Sequence, residues 1–166
     1  MNHIAHGMRE GGLTLAYHTI VTVRDGLRRL ARPTELGVRA VVTRGDRLLM
    51  VRHRSGPTPW SLPGGGVNRG EDMATAALRE VREEGGCDAQ IQRLFGVYYN
   101  HNYGFNNHVG VFLCDALGEA RPPVGDLEIV DARFFLPQDV PANTEAGSLR
   151  RIAEFRQGLF GLALPW

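Results

Sequence analysis

The sequence predicts one layered α/β domain, and three observations carry that reading. Short runs rich in Val, Ile, Leu and Phe interleave with two segments of helical period. Gly, Pro and Asp punctuate the joins between them. The 166 residues are 43% hydrophobic and 22% charged, an ordinary globular mixture in a chain long enough for one core.

Taken in order, residues 1–12 are polar and read as a frayed tail. Leu13, Tyr17, Ile20, Leu27 and Leu30 then recur near helical spacing up to Pro33, against the β-branched run from Thr19 to Val23. The basic end of this segment, with Arg24, Arg28, Arg29 and Arg32, suits a helix C-terminus. Such a helix packs on the domain or on the mate of a homodimer; contact with a membrane surface or nucleic acid is the alternative. Residues 1–36 are therefore set apart as an N-terminal tail and helix, and 37–166 as the domain.

From Gly37, "GVRAVVTRGDRLLMVRH" reads as two strands around the turn Arg44-Gly45-Asp46-Arg47, and "TPWSLPGGG" as a loop. Glu71 to Glu84 is a predicted helix. "AQIQRLFGVYYNHN" and "NHVGVFLCDA" are predicted strands joined by a polar, aromatic loop, and "IVDARFF" is a short strand after the loop "PPVGDLE". Asn143 to Leu159 is expected to close the chain as a helix, with Leu149, Ile152, Ala153, Phe155 and Leu159 as its apolar stripe. No internal repeat is visible.

A net charge of +1 gives no global field toward nucleic acid or membrane, although all 19 basic residues are arginine. Cys87 and Cys114 stand apart with no metal-ligand spacing and are expected to be buried thiols. No apolar run approaches the ~18 residues of a membrane span, and the N-terminus lacks the order of a secretory signal. A cytoplasmic location with no membrane partner is the expectation.

The chemistry gathers on the helix after the glycines. On a helical wheel Ala74, Ala77, Leu78 and Val81 share one side, and Glu80, Glu83 and Glu84 fall on an arc of roughly 100° beside it. Carboxylates three and four apart repel by roughly 0.2–0.5 kcal/mol per pair. A hard divalent cation, Mg²⁺ or Mn²⁺, turns that repulsion into shared attraction, and it bridges to substrate phosphate because Mg²⁺ is rarely caged by protein alone. Gly64, Gly65 and Gly66 let backbone approach a ligand or metal closely.

The spacing sharpens this. Gly65, Glu71, Arg79, Glu80, Glu83, Glu84 and Gly86 stand where a 23-residue signature, Gly65 to Cys87, requires them. Seven such matches arise by chance in about one window in 10⁸. The stretch resembles the box of the Nudix hydrolases, and the strand–helix order from Gly37 to about Leu159 is similar to their fold. The resemblance implies a Nudix-type α/β/α sandwich with a mixed β-sheet, here with an N-terminal helical extension.

It also implies an activity: metal-dependent hydrolysis of a pyrophosphate bond in a nucleoside diphosphate derivative, with water attacking phosphorus. Glu80, Glu83 and Glu84 would be metal ligands, joined by a backbone carbonyl at Gly65 or its neighbour. Arg79 would orient a glutamate, and Glu71 would steady Arg79. Gly86 would end the helix, and Val81 and Cys87 would pack. The general base would be Glu83 or Glu84, or Glu128 from a later loop, which otherwise reads as a surface residue at a strand start.

Substrate contacts are less determined. Alternation sends Arg52 and Arg54 to one side of their strand and His53 to the other; one set is a candidate to face the phosphates, and a solvated place at the sheet edge is the alternative for each. Trp60 stacks on a nucleobase or, the favoured reading, packs beneath the loop. Tyr103 sits in the aromatic loop where dinucleoside polyphosphate hydrolases carry a tyrosine. The expected partner is a nucleotide-type small molecule: a nucleoside triphosphate, dinucleoside polyphosphate, nucleotide sugar or capped RNA 5′ end. The competing class is a silent nucleotide-binding or regulatory module, which would not need the complete glutamate set.

Overall fold

The computed structural model describes residues 34–100 and 106–166. The expected N-terminal helix and Tyr103 lie outside the described residues.

Thr34–Arg44 (β1) and Arg47–His53 (β2) form the expected hairpin, with Gly45 supplying positive φ at the turn. Only Thr43↔Leu48 and Arg44↔Arg47 pair across it. Beyond those rungs the strands part. β2 pairs with Trp60–Ser61 (β3) and with Ile129–Phe135 (β6), both antiparallel. β1 instead runs parallel to Asn106–Ala116 (β5) from Thr34 to Thr43. Ala89–Asn100 (β4) pairs antiparallel with β5, and the edge strand Leu162–Pro165 (β7) pairs parallel with β4. The order is β3-β2-β1-β5-β4-β7, with β6 also on β2, so the sheet is mixed as expected.

The parting of β1 and β2 leaves one edge of β1 open, and the glycine loop fills it. Val38 N donates to Gly65 O at 2.9 Å, Ala40 N to Pro63 O at 2.9 Å, and Val67 N to Leu36 O at 3.0 Å. That close approach explains Gly64: its φ is +151°, and a Cβ there would meet Val38 O at 2.1 Å.

Met73–Gly85 (α1) covers one face of the sheet, packing Ala76, Ala77 and Val81 on Val38, Ala40 and Val42. The helix starts two residues later than expected. Asp72 caps it, accepting from Thr75 N at 2.9 Å, while Glu71 turns back to accept from Asn68 N at 3.0 Å. Gly86 ends it at φ 62°, ψ 26°. Cys87 and Cys114 are buried and unlinked in this layer.

Ala146–Arg156 (α2) covers the other face, over Val41, Leu48, Phe95 and Tyr98. Its buried side keeps only part of the predicted stripe: Ile152 is in the core and Phe155 packs against it. Leu149 and Leu159 are exposed, and Gly147, Ser148, Arg151 and Ile152 face inward. Arg151 reaches the core because Glu154 pairs with it at 2.6 and 2.8 Å and its guanidinium lies 3.7 Å from the Tyr98 ring centroid. Gly147 leaves room for Trp166, whose indole N–H donates to Glu145 at 2.7 Å. The predicted helix also ran too far: it stops at Arg156, Gly158 turns at φ 67°, and β7 follows. No described helix is long and apolar enough to cross a membrane.

Candidate active site

The wheel drawn from sequence needs one rotation. Ala76 is buried where Ala74 and Leu78 were expected, which carries Glu80 and Glu84 into the buried face and leaves Glu83 outside. Glu80 and Glu84 are each 8% exposed, whereas the Glu83 side chain is 60% exposed. Both buried acids look at the glycine loop. Glu84 Oε2 accepts from Gly64 N at 2.8 Å. The Glu80 carboxylate lies so close to Gly65 that a Cβ there would sit 2.5–2.9 Å from its atoms.

Arg79 gathers the remaining acids. Its Nε and Nη2 donate to the two Glu71 oxygens at 2.9 and 3.0 Å, Nη1 to Glu80 at 2.6 Å and to Glu83 at 3.1 Å, and Nη2 also to Gly66 O at 2.9 Å. The planar fork makes this possible, and Glu71 extends from the residue before the cap to meet it. The Arg79 hydrogen bond holds Glu71 below the ordinary carboxylate range. Burial acts the other way on the inner pair. It pushes Glu80 up against the pull of Arg79, and it pushes Glu84 up to about 7 against Arg39 and the Gly64 N–H.

Among the described residues no three acids or other ligands are gathered tightly enough to hold a metal as they stand. Arg79 stands among Glu71, Glu80 and Glu83, and Glu84 lies on the glycine loop. The donor set nonetheless fits a hard divalent ion. It offers carboxylate oxygens from two buried acids, of which Glu84 has no ion-pair partner among the described residues while Glu80 shares Arg79, and Gly65 leaves the space beside Glu80 that any side chain would fill. Glu80, Glu83, Glu84 and the Gly65 carbonyl are the groups available to such an ion, although that carbonyl accepts from Val38 N.

Beside these acids lies a cleft of about 560 Å³, lined by β1, the glycine loop, β5, His53 and Glu128. Arg39 projects into it, and its Nη1 donates to the carbonyls of Leu62 and Gly64. His53 Nε2 is 3.1 Å from Ser61 Oγ, and Nδ1 is 3.6 Å from Glu128 Oε1.

The structure thus brings Glu71, Arg79, Glu80 and Glu83 together around one guanidinium, sets Glu84 on the glycine loop, and brings Glu128 to the cleft. It does not bring Arg52, Arg54 or Trp60 there. Arg52 Nε is 4.0 Å from Asp131, Arg54 donates to the carbonyls of Asp126 and Leu127 at 3.0 Å, and Trp60 is buried edge-on to Phe135 at 5.2 Å. Of the alternating set on β2, His53 faces the cleft. Sequence reasoning missed Arg39 and Asn107. The alternation of "ELGVRAV" puts Arg39 on one face with Gly37 and Glu35, but only the pairing with β5 shows that this face is a cleft floor.

This fold with this acid helix and glycine loop defines a Nudix hydrolase, and the chain belongs to that family: the NUDIX domain description matches residues 33–155. Among relatives, the ADP-ribose pyrophosphatase of Methanocaldococcus jannaschii is 29% identical over 117 residues, 68% of each chain. Diphosphoinositol polyphosphate phosphohydrolase 2 of Rattus norvegicus is 38% identical over 66 residues, 40% of this chain and 37% of that one. The crystal structure of an ADP-ribose pyrophosphatase from Streptococcus suis aligns at TM-score 0.61 and 26% identity, covering 81% of this chain and all of that one.

Proposed function

We propose that this Nudix hydrolase cleaves a pyrophosphate bond in a nucleoside diphosphate derivative, with water attacking phosphorus, and that it uses Mg²⁺ or Mn²⁺ held by Glu80, Glu83, Glu84 and the Gly65 carbonyl. The observation that carries the reading is the pair of buried carboxylates, Glu80 and Glu84, aimed at a glycine loop beside a polar cleft. Two buried acids one helical turn apart are costly in the metal-free chain. A bound cation neutralises phosphate charge and acidifies a coordinated water.

The chain supplies the rest. Arg79 positions Glu80 and Glu83, with Glu71 holding Arg79 in turn. Arg39 places a guanidinium in the cleft for phosphate oxygens, already oriented by the loop carbonyls. For the proton of the attacking water there are two kinds of acceptor: Glu83 or Glu84 on the helix, and Glu128 across the cleft with His53 beside it. The relatives act, by their names, on ADP-ribose and on diphosphoinositol polyphosphates. Both are diphosphate compounds, which agrees with a conserved reaction on varied leaving groups.

The test is phosphate or nucleotide release with Mg²⁺ across nucleoside triphosphates, dinucleoside polyphosphates, nucleotide sugars, ADP-ribose and capped RNA. At least one should be turned over in a chelator-sensitive way. Tight binding of one member without turnover of any would instead mark a silent binding module.

A further inference from the structure

Packing does not hold the loop ahead of β6. No residue from 121 to 128 is buried, Val124 is fully exposed, and Ile129 is the first to enter the core. Yet this loop carries Glu128 to the cleft.

Hydrogen bonds fix it instead. Arg54, just past the end of β2, donates from Nε to Leu127 O and from Nη2 to Asp126 O, both at 3.0 Å. Its backbone N–H donates to Glu128 O at 2.8 Å. Asp126 Oδ1 in turn accepts from the N–H groups of Glu128 and Ile129 at 2.6 and 2.8 Å, which closes the turn. One planar guanidinium thus spans two successive carbonyls, and residues 126–128 are pinned to β2.

The side chain at the end of this clamp is aimed as well. β2 and β6 pair Arg52 with Asp131 and His53 with Ile129, so Val130 is the extra residue of a β-bulge. A bulge bends its strand and re-aims the side chains beside it. His53 Nε2 lies 3.1 Å from Oγ of the buried Ser61, and Nδ1 lies 3.6 Å from Glu128 Oε1. His53 and Glu128 both line the cleft.

The geometry points to Arg54 as the positioning residue of Glu128, and to Glu128, rather than a helix glutamate, as the proton acceptor for the attacking water. This rests on the hydrolase reading above and divides its work. Glu80 and Glu83 are engaged by Arg79 and Glu84 by the Gly64 N–H, and all three are the carboxylates offered to the cation. Positive charge beside a carboxylate lowers its affinity for a proton. Glu128 reaches the cleft from a different element. As the water oxygen bonds to phosphorus, its proton passes to the Glu128 carboxylate, the bridging P–O bond breaks, and the leaving phosphate keeps the electron pair. Arg54 touches neither water nor phosphate; it holds the backbone from which Glu128 extends.

The experiment is a double-mutant cycle with Mg²⁺ on the nucleotide that wild type turns over fastest. Glu128→Gln should lower kcat about a hundredfold. Arg54→Ala should lower kcat about tenfold with KM within about twofold, and Arg54→Lys should recover part of that loss, since an ammonium still reaches a carbonyl. On the Glu128→Gln background, Arg54→Ala should cost less than about twofold, because its effect passes through the carboxylate. Asp126→Ala opens the same turn from the other side and gives the same reading if Arg54→Ala does not fold. An equal loss from Arg54→Ala on both backgrounds, or a raised KM with kcat unchanged, would make Arg54 a structural or phosphate-binding residue and overturn the assignment. Glu128→Gln within about twofold of wild type would overturn it too. Each of those results leaves the hydrolase reading standing, whereas a wild type that turns over no nucleotide removes both.

Discussion

Glu84→Gln should make the metal-free protein more stable at neutral pH, and the size of the effect follows from burial. Glu84 is 8% exposed, and burial raises its carboxyl from 4.5 to about 7 in the folded chain. Below about pH 4.5 both folded and unfolded chains hold the proton, and Glu84 carries no penalty. Between about 4.5 and 7 the unfolded chain releases it while the folded chain keeps it, so stability falls as pH rises. Above 7 the penalty is complete, about 3 kcal/mol at ~1.4 kcal/mol per unit. Glutamine retains an oxygen for the Gly64 N–H and does not titrate. In chelator, Tm of the variant should exceed wild type by about 6–12 °C at pH 8, at ~2–4 °C per kcal/mol, and the two should converge near pH 4.5. Added Mg²⁺ should narrow the gap by stabilising wild type. Parallel Tm curves for the two proteins from pH 4.5 to 8 would refute the argument.

Two further outcomes separate the roles of neighbouring groups. Glu83→Gln alters an exposed side chain that meets Arg79 at 3.1 Å, so it should shift stability by less than about 1 kcal/mol while lowering kcat by roughly a hundredfold or more; steady-state kinetics with a melting curve reads both. Gly65→Ala puts a Cβ 2.5 Å from Glu80 Oε1 and must move that carboxylate, so the concentration of Mg²⁺ giving half-maximal rate should rise at least tenfold. An unchanged metal requirement in that variant would show that Glu80 does not act where Gly65 holds it.

Local signals in the chain were the readable ones. The turn Arg44-Gly45-Asp46-Arg47 and the alternating residues beside it led directly to the β1–β2 hairpin, because adjacent residues determine a hairpin. The spacing from Gly65 to Gly86 named the acid helix and its capping glycine for the same reason. What failed depended on distant partners. α2 buries Arg151, which no apolar period predicts, because Glu154 and the Tyr98 ring neutralise it there. β7 is too short to announce itself, and its pairing with β4 comes from the tertiary fold. Glu80 and Glu84 turned inward rather than along the margin because the glycine loop offers them the Gly64 N–H and the hollow at Gly65. Arg39 and Asn107 became visible as cleft residues only through the parallel register of β1 and β5, which joins segments some 70 positions apart.

The most direct measurement is Mn²⁺ binding followed by electron paramagnetic resonance, with a non-hydrolysable nucleoside diphosphate derivative present. Wild type should bind the ion, each of Glu80→Gln, Glu83→Gln and Glu84→Gln should weaken binding, and the triple variant, still folded by circular dichroism, should bind none at the site. A triple variant that binds Mn²⁺ as wild type does would place the cation elsewhere and contradict the account.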